Sequence, residues 1–191
     1  MKVSNRSFSK RASVARQQQR GLSILGALFA LVIGALLTIV TVNAFQDSQR
    51  KTRVSAALQD IQTMSADLQK NFGSANQYVA LTTAAAVQTG IVPARLRVAG
   101  TNTANSSYNG AITFAPDTIT VANDSALMSF ANVPREDCAD LVFGSEQLAR
   151  RVVVAGVVVK ANDAVLVPAT LATQCDSAAR VVVAFSIGRK G

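Results

Sequence analysis

The sequence predicts an α+β protein in which one long N-terminal helix packs against an antiparallel β-sheet head. Three observations carry that expectation. No residue from Leu22 to Gln46 is charged. An apolar stripe at helical spacing follows from Val54 to Phe72, and β-rich runs bounded by turn residues fill the C-terminal half.

With 191 residues, about half of them apolar, the chain can build one domain of ordinary size plus a terminal appendage. The formal charge of +8 invites a nucleic-acid or anionic-membrane reading. However, Lys2, Arg6, Lys10, Arg11, Arg16 and Arg20 supply six of the 19 basic residues before residue 21, leaving 13 against 11 acidic ones in the remainder. The basicity therefore belongs to a tail rather than to a domain, and nucleic acid is not expected as the primary partner.

Residues 22 to 46, as a helix, would span roughly 37 Å, more than the ~30 Å hydrocarbon core of a bilayer. Six basic residues precede the run, and only Arg50, Lys51 and Arg53 follow it closely. The positive-inside rule therefore keeps the N-terminus cytoplasmic and exports the C-terminal bulk. Gly26 with Ala30, and Gly34 with Ala35, offer small faces for close helix packing. Asn43 is either a softening point or an ordinary interfacial residue. Beyond the run, Val54, Leu58, Ile61, Met64 or Ser65, Leu68 and Phe72 draw one apolar face, with Asp60, Asp67 and Lys70 on others. Asp47 with Arg50 and Lys51, and Asp67 with Lys70, have the spacing of intrahelical ion pairs. Gly73 is a candidate C-terminal cap. The domain plan is thus a basic leader (1–21), an apolar half-helix (22–46), an amphipathic half-helix (47–72) and a head (73–191).

Within the head, "YVALTTAAAVQTG" predicts a short second helix ending at Gly90, and "GTNTANSSYNG" (100–110) a polar loop. "AITFAP", "TITVA", "ALMSFANV", "RVVVAGVVVK" and "ARVVVAFSIG" are the β-rich runs. "PREDCADLVFGSEQLA" predicts a helix opened by Pro134, with Glu136 and Asp137 in the first turn where the helix dipole favours acids. Cys138 and Cys175 have no CxxC spacing. In an exported domain such a pair is expected to form a disulfide, worth about 3–4 kcal/mol by loop entropy; in a reducing compartment it would be two buried thiols.

Histidine is absent. That removes Ser-His-Asp and Cys-His catalysis and the commonest metal ligand, and no phosphate-binding glycine loop is present. Glu136, Asp137 and Asp140 form the densest acidic group. Acids at a helix start are more simply dipole complements on a solvated face than a metal or paired-carboxylate site. Arg150 with Arg151, and Arg95 with Arg97, are either solubilising or aimed at acidic patches on neighbouring molecules. No enzyme, cofactor or metal is expected.

The acid-free basic leader ending in Arg20-Gly21, followed at once by Leu22 and the apolar run, resembles the prepilin signature of type IV pilins. Its long leader and first mature residue Leu are similar to the type IVb class. "NFGSANQYVALTTAAAVQTGIVP" (71–93), "YNGAITF" (108–114), "FANVPREDCADL" (130–141) and "ATQCDSAARVVVAF" (172–185) extend the resemblance to type IVb pilins of toxin-coregulated and thin conjugative pili. The resemblance implies the type IV pilin fold with a C-terminal disulfide, Cys138 to Cys175. It implies cleavage after Gly21 by a prepilin peptidase and N-methylation of Leu22. It also implies an inner-membrane, single-pass precursor passed to a pilus assembly platform. The mature subunit would polymerise with copies of itself into an extracellular filament for adhesion, aggregation or conjugative contact. Gly26 stands where the family usually has the glutamate that meets a neighbouring N-terminal ammonium, which bears on whether the subunit is major or minor. Two other readings compete: a soluble secreted binding protein with a signal cleaved before Phe45, and a permanently anchored single-span periplasmic domain.

Overall fold

The computed structural model describes residues 24–73 and 78–188, without the side chains of residues 24, 25 and 36–44. Helix α1 runs Ile24–Asn71. The chain divides into two compact units, one ending at Ala44 and one beginning at Phe45.

In the second unit α1 behaves as its stripe predicts. Val54 is buried, and Ala57, Ile61, Met64 and Leu68, with Leu58 and Phe72 partly so, join one core with the sheet. Each fully buried aliphatic side chain contributes about 1.5–3 kcal/mol. Asp60, expected on another face, is buried instead and paired with Arg95. Among the described residues no ion pair joins two α1 side chains; Arg50 pairs with Asp137 and Asp140 rather than Asp47. The helix ends with the Gly73 N–H donating to the Gln69 carbonyl at 2.9 Å, and a Cβ on Gly73 would strike that carbonyl.

Helix α2 is only Thr83–Gln88, shorter than expected. Thr82 caps it, accepting from the Ala85 N–H, and Tyr78, expected in its first turn, is buried in the core. A 3-10 turn, Ala94–Leu96, follows. The predicted polar loop holds the short strand β1 (Ala104–Asn105). Then come β2 (Ala111–Asp117), β3 (Ser125–Pro134), α3 (Arg135–Ser145), β4 (Arg151–Val154), β5 (Val157–Lys160), α4 (Pro168–Cys175) and β6 (Arg180–Ile187). All pairings are antiparallel, in the order β1-β2-β3-β6-β4-β5.

One expected β-run fails for a local reason, and another is divided by a turn. "TITVA" is not a strand: the buried Asp124 carboxylate accepts the N–H groups of Ile119, Thr120 and Val121 at 2.8, 2.8 and 3.0 Å, curling the run into a loop. Those three donors outweigh burial and hold Asp124 below the usual carboxylate range. "RVVVAGVVVK" is two strands, because Ala155 and Gly156 take φ of 51° and 83° and turn the chain as a hairpin. Helix α4, unforeseen from the sequence, has proline in its first turn.

Candidate functional site

The first half of α1 carries apolar side chains with no core of its own to enter. Leu28, Phe29, Leu31, Val32 and Ile33 are all more than half exposed, and Gly26 beside them is partly buried. Gly21 and Leu22, the predicted cleavage junction, lie outside the described residues, as does the Asn43 side chain. Among the described residues no helix is long and apolar enough to cross a membrane; the uncharged run 22–46 falls partly outside them. What this surface can do chemically is limited. Contiguous apolar area of this kind is stable only against other apolar groups.

Where α1 enters the head, charges replace the apolar face. Arg50 Nε donates to Asp137 Oδ1 at 3.1 Å and Arg50 Nη2 to Asp140 Oδ2 at 2.5 Å. Arg53 Nη2 stands 3.5 Å from Asp137 Oδ2. The first turn of α3 positions Asp137 and the next turn Asp140, and Gly144 keeps that helix close to α1, since a Cβ there would meet the Leu58 side chain at 2.5 Å. The solvated-face expectation is wrong for Asp137, whose side chain is 0% exposed, while Glu136 stays in solvent. Burial raises the Asp137 pKa, with the nearby Arg53 and Arg50 charges opposing. Tyr108 is buried near the same charges, and burial with the Asp137 charge pushes its phenol far above its ordinary range. This is a structural clamp between helix and head. Among the described residues no His, Cys, Asp and Glu group is arranged to hold a metal.

Arg95, Arg97, Arg150 and Arg151 are also bonded within the head. Arg95 pairs with Asp60, whose pKa burial raises against the pull of that guanidinium. Arg97 Nε donates to the Val92 carbonyl at 2.8 Å. Arg150 is buried and pairs with Asp163 at 2.7 Å. Arg151 forks onto both Asp117 oxygens at 2.6 and 2.5 Å and reaches Ser186. Arg150 and Arg151 tie segments of one head together, whereas Arg95 and Arg97 are bonded within the head and remain exposed, as a solubilising role requires. Asp60, Asp124 and Tyr108 carried no sequence signal for this work. The partners of Asp60 and Tyr108 lie 35 and about 30 residues away in places that only the fold joins, whereas Asp124 bonds the backbone three to five residues before it, a local turn that the strand propensity of the run masks.

The cysteines meet as expected. Cys138 on α3 and Cys175 at the end of α4 are disulfide-bonded, with Cα atoms 5.7 Å apart. Arg135 and Asp176 pair beside them at 2.8 Å. The bond fastens α3 to α4, the two helices flanking the β4–β5 hairpin in sequence.

The fold has solved counterparts. The crystal structure of a type IV b pilin from Salmonella typhi superposes with a TM-score of 0.52 at 18% identity, covering 73% of this chain and 99% of that one. TcpA, a type IV pilin from the Vibrio cholerae El Tor biotype, gives 0.52 at 15% identity, covering 71% and 98%. No curated protein sequence matches. The family model described as PilS N terminal matches residues 51–187, most of the chain. With the long helix, the antiparallel sheet and the disulfide all in place, the chain belongs to that PilS family: it is a type IVb pilin, a structural subunit of a pilus.

Proposed function

We propose that the subunit is made as a prepilin, inserted once in the inner membrane through residues 22–46 and cleaved after Gly21 by a prepilin peptidase. The new N-terminus, Leu22, is methylated. An assembly platform then draws the helix out of the bilayer and packs it against other copies, forming a surface filament for adhesion, aggregation or conjugative contact. One observation carries this reading: six basic and no acidic residues end at Arg20-Gly21-Leu22, directly before an uncharged run to Gln46.

The physics is consistent. An apolar helix finds apolar surroundings both in lipid and in a helix bundle, so the same residues serve storage and assembly. Removing the leader deletes six charges that would otherwise be buried or dragged through the membrane. Gly26 leaves the Leu22 amine without the glutamate usual in the family, which favours a minor or initiating subunit over the abundant one.

Intact-mass and N-terminal peptide analysis of chain expressed with its own processing machinery tests the reading. A start at Leu22 with one added methyl group is expected. A start at Phe45 would mean a discarded signal peptide and a secreted domain. An intact Met1 beside an active peptidase would mean a permanent anchor.

A further inference from the structure

A cavity of about 530 Å³ lies where α1 enters the head. Its charged lining is Asp47, Arg50 and Arg53 from α1 and Glu136 from the first turn of α3, and Phe45 lines it too. Arg50 is committed to Asp137 and Asp140. Arg53 is not. Its side chain is 45% exposed and donates no hydrogen bond among the described residues, and its one ion-pair contact is the 3.5 Å approach to Asp137. Asp47 and Glu136 are exposed and form no ion pair among the described residues.

Opposite charges therefore share this cavity without meeting. Elsewhere in the head Asp60, Asp117, Asp163 and Asp176 each hold an arginine, so the unmade pairs belong to the cavity. Its lining is balanced, two basic residues against two acidic ones. A purely basic surface would draw any anionic lipid. This one suits a molecule that carries both a phosphate and an ammonium group, each in charge-assisted hydrogen bonds to its own partner. Position narrows the source. Phe45 and Gln46 end the uncharged run, and from Phe45 to Arg53 the helix rises about 12 Å. The headgroup layer extends roughly 5–7 Å beyond each side of the hydrocarbon core. A helix crossing a bilayer through residues 22–46 thus places the cavity at headgroup height, with Phe45, 65% exposed, where the acyl chains begin.

We propose that this cavity binds the phosphoethanolamine headgroup of a membrane lipid, with the phosphate on Arg53 and the ammonium on Glu136. The inference rests on the reading of residues 22–46 as a membrane span. The phosphate accepts from the guanidinium donors that Asp137 leaves open, and the ammonium donates to the Glu136 carboxylate, with Asp47 as a second acceptor. A lipid that brings a phosphate without an ammonium leaves both carboxylates unpaired beside its own negative charge. The bound headgroup sets the depth of the helix exit in the bilayer before the subunit is withdrawn for assembly.

The test reconstitutes the full chain in vesicles of phosphatidylcholine, whose nitrogen has no proton to donate, doped equally with phosphatidylethanolamine and phosphatidylglycerol. After extraction in mild detergent, the lipid retained by the chain is counted by mass spectrometry. Wild type is expected to retain phosphatidylethanolamine about tenfold over phosphatidylglycerol. Arg53→Gln should retain neither, and Glu136→Lys should reverse the preference to phosphatidylglycerol. Glu136 is exposed and unpaired, and misfolding does not create a preference for one lipid, so this reversal decides the matter should Arg53→Gln fold poorly. Lys51→Gln, on a different groove of α1, should keep the wild-type ratio. Equal retention of the two lipids by wild type, an unchanged ratio in Glu136→Lys, or the same loss in Lys51→Gln would overturn the inference while leaving the membrane span intact. A chain that does not enter the vesicle membrane would overturn the span reading and the inference with it.

Discussion

Both halves of α1 carry large apolar side chains, and those side chains meet opposite fates. From Phe45 onward, Ile61, Met64 and Leu68 are buried in the core of their own head. Before Ala44, Leu28, Phe29 and Leu31 are as apolar and remain exposed. The difference is one of pattern. In the second half apolar residues alternate with Gln59, Gln62, Asp67 and Lys70, giving one side for the sheet and another for water. In the first half no such polar side exists, so the helix needs apolar neighbours all round, and a single head cannot provide them. The second half contributes to the folding of the head, and the first half leaves its described apolar side chains exposed.

The sharpest way to break this comparison is to charge the exposed half. Leu31→Asp should abolish filaments, since an aspartate at the centre of an apolar helix costs about 2.5–3.5 kcal/mol in a bilayer, yet leave the melting temperature of the extracted head unchanged. A lowered melting point would mean that this half also supports the head. Leu68→Ala should do the reverse, destabilising the head by about 2–5 kcal/mol through the cavity it leaves; denaturant unfolding of the extracted subunit measures it. Removing the disulfide with Cys138→Ser and Cys175→Ser should cost about 3–4 kcal/mol by the loop-entropy argument. A loss close to zero in the same unfolding assay would show that α3 and α4 are held by packing alone.

The smallest effect separates two buried acids within the head. Asp124, with its pKa lowered, contributes stability that is complete above the unfolded value of about 3.9 and lost as pH falls through its lower folded value. Asp137, with its pKa raised, contributes stability that is complete below about 3.9 and lost as pH rises through its higher folded value. The stability gap between wild type and Asp124→Asn should therefore be flat from neutral pH down to about 4. Over the same range wild type should gain relative to Asp137→Asn. Thermal melts across that range read both, and parallel curves would contradict the opposite environments.

Much of this was legible in the chain because periodicity is a local property. The stripe from Val54 to Phe72, the strands at 111–117, 125–134 and 180–187, and the helix after Pro134 follow from spacing and turn residues. The misses have a common cause, which is a competing partner distant in the chain or a backbone group that pattern does not report. "TITVA" has strand propensity and loses it to the Asp124 carboxylate. Glu136 and Asp137 are neighbours with the same local preference, and only Asp137 faces α1. The pattern extended α2 backward over Tyr78, which the core claims, and the helix starts only after Thr82, whose hydroxyl caps it.

The sequence alone determined the fold class, the division of α1 into an all-apolar and an amphipathic half, the absence of histidine and the family resemblance. All of these depend on residue type and short-range spacing. The tertiary structure decided which charges are buried and that Arg50, Arg95, Arg150 and Arg151 bind within the head. Those outcomes depend on which distant backbone segments come within a few ångströms of each other. Charge pairing and desolvation act over that distance and have no period in the sequence to announce them.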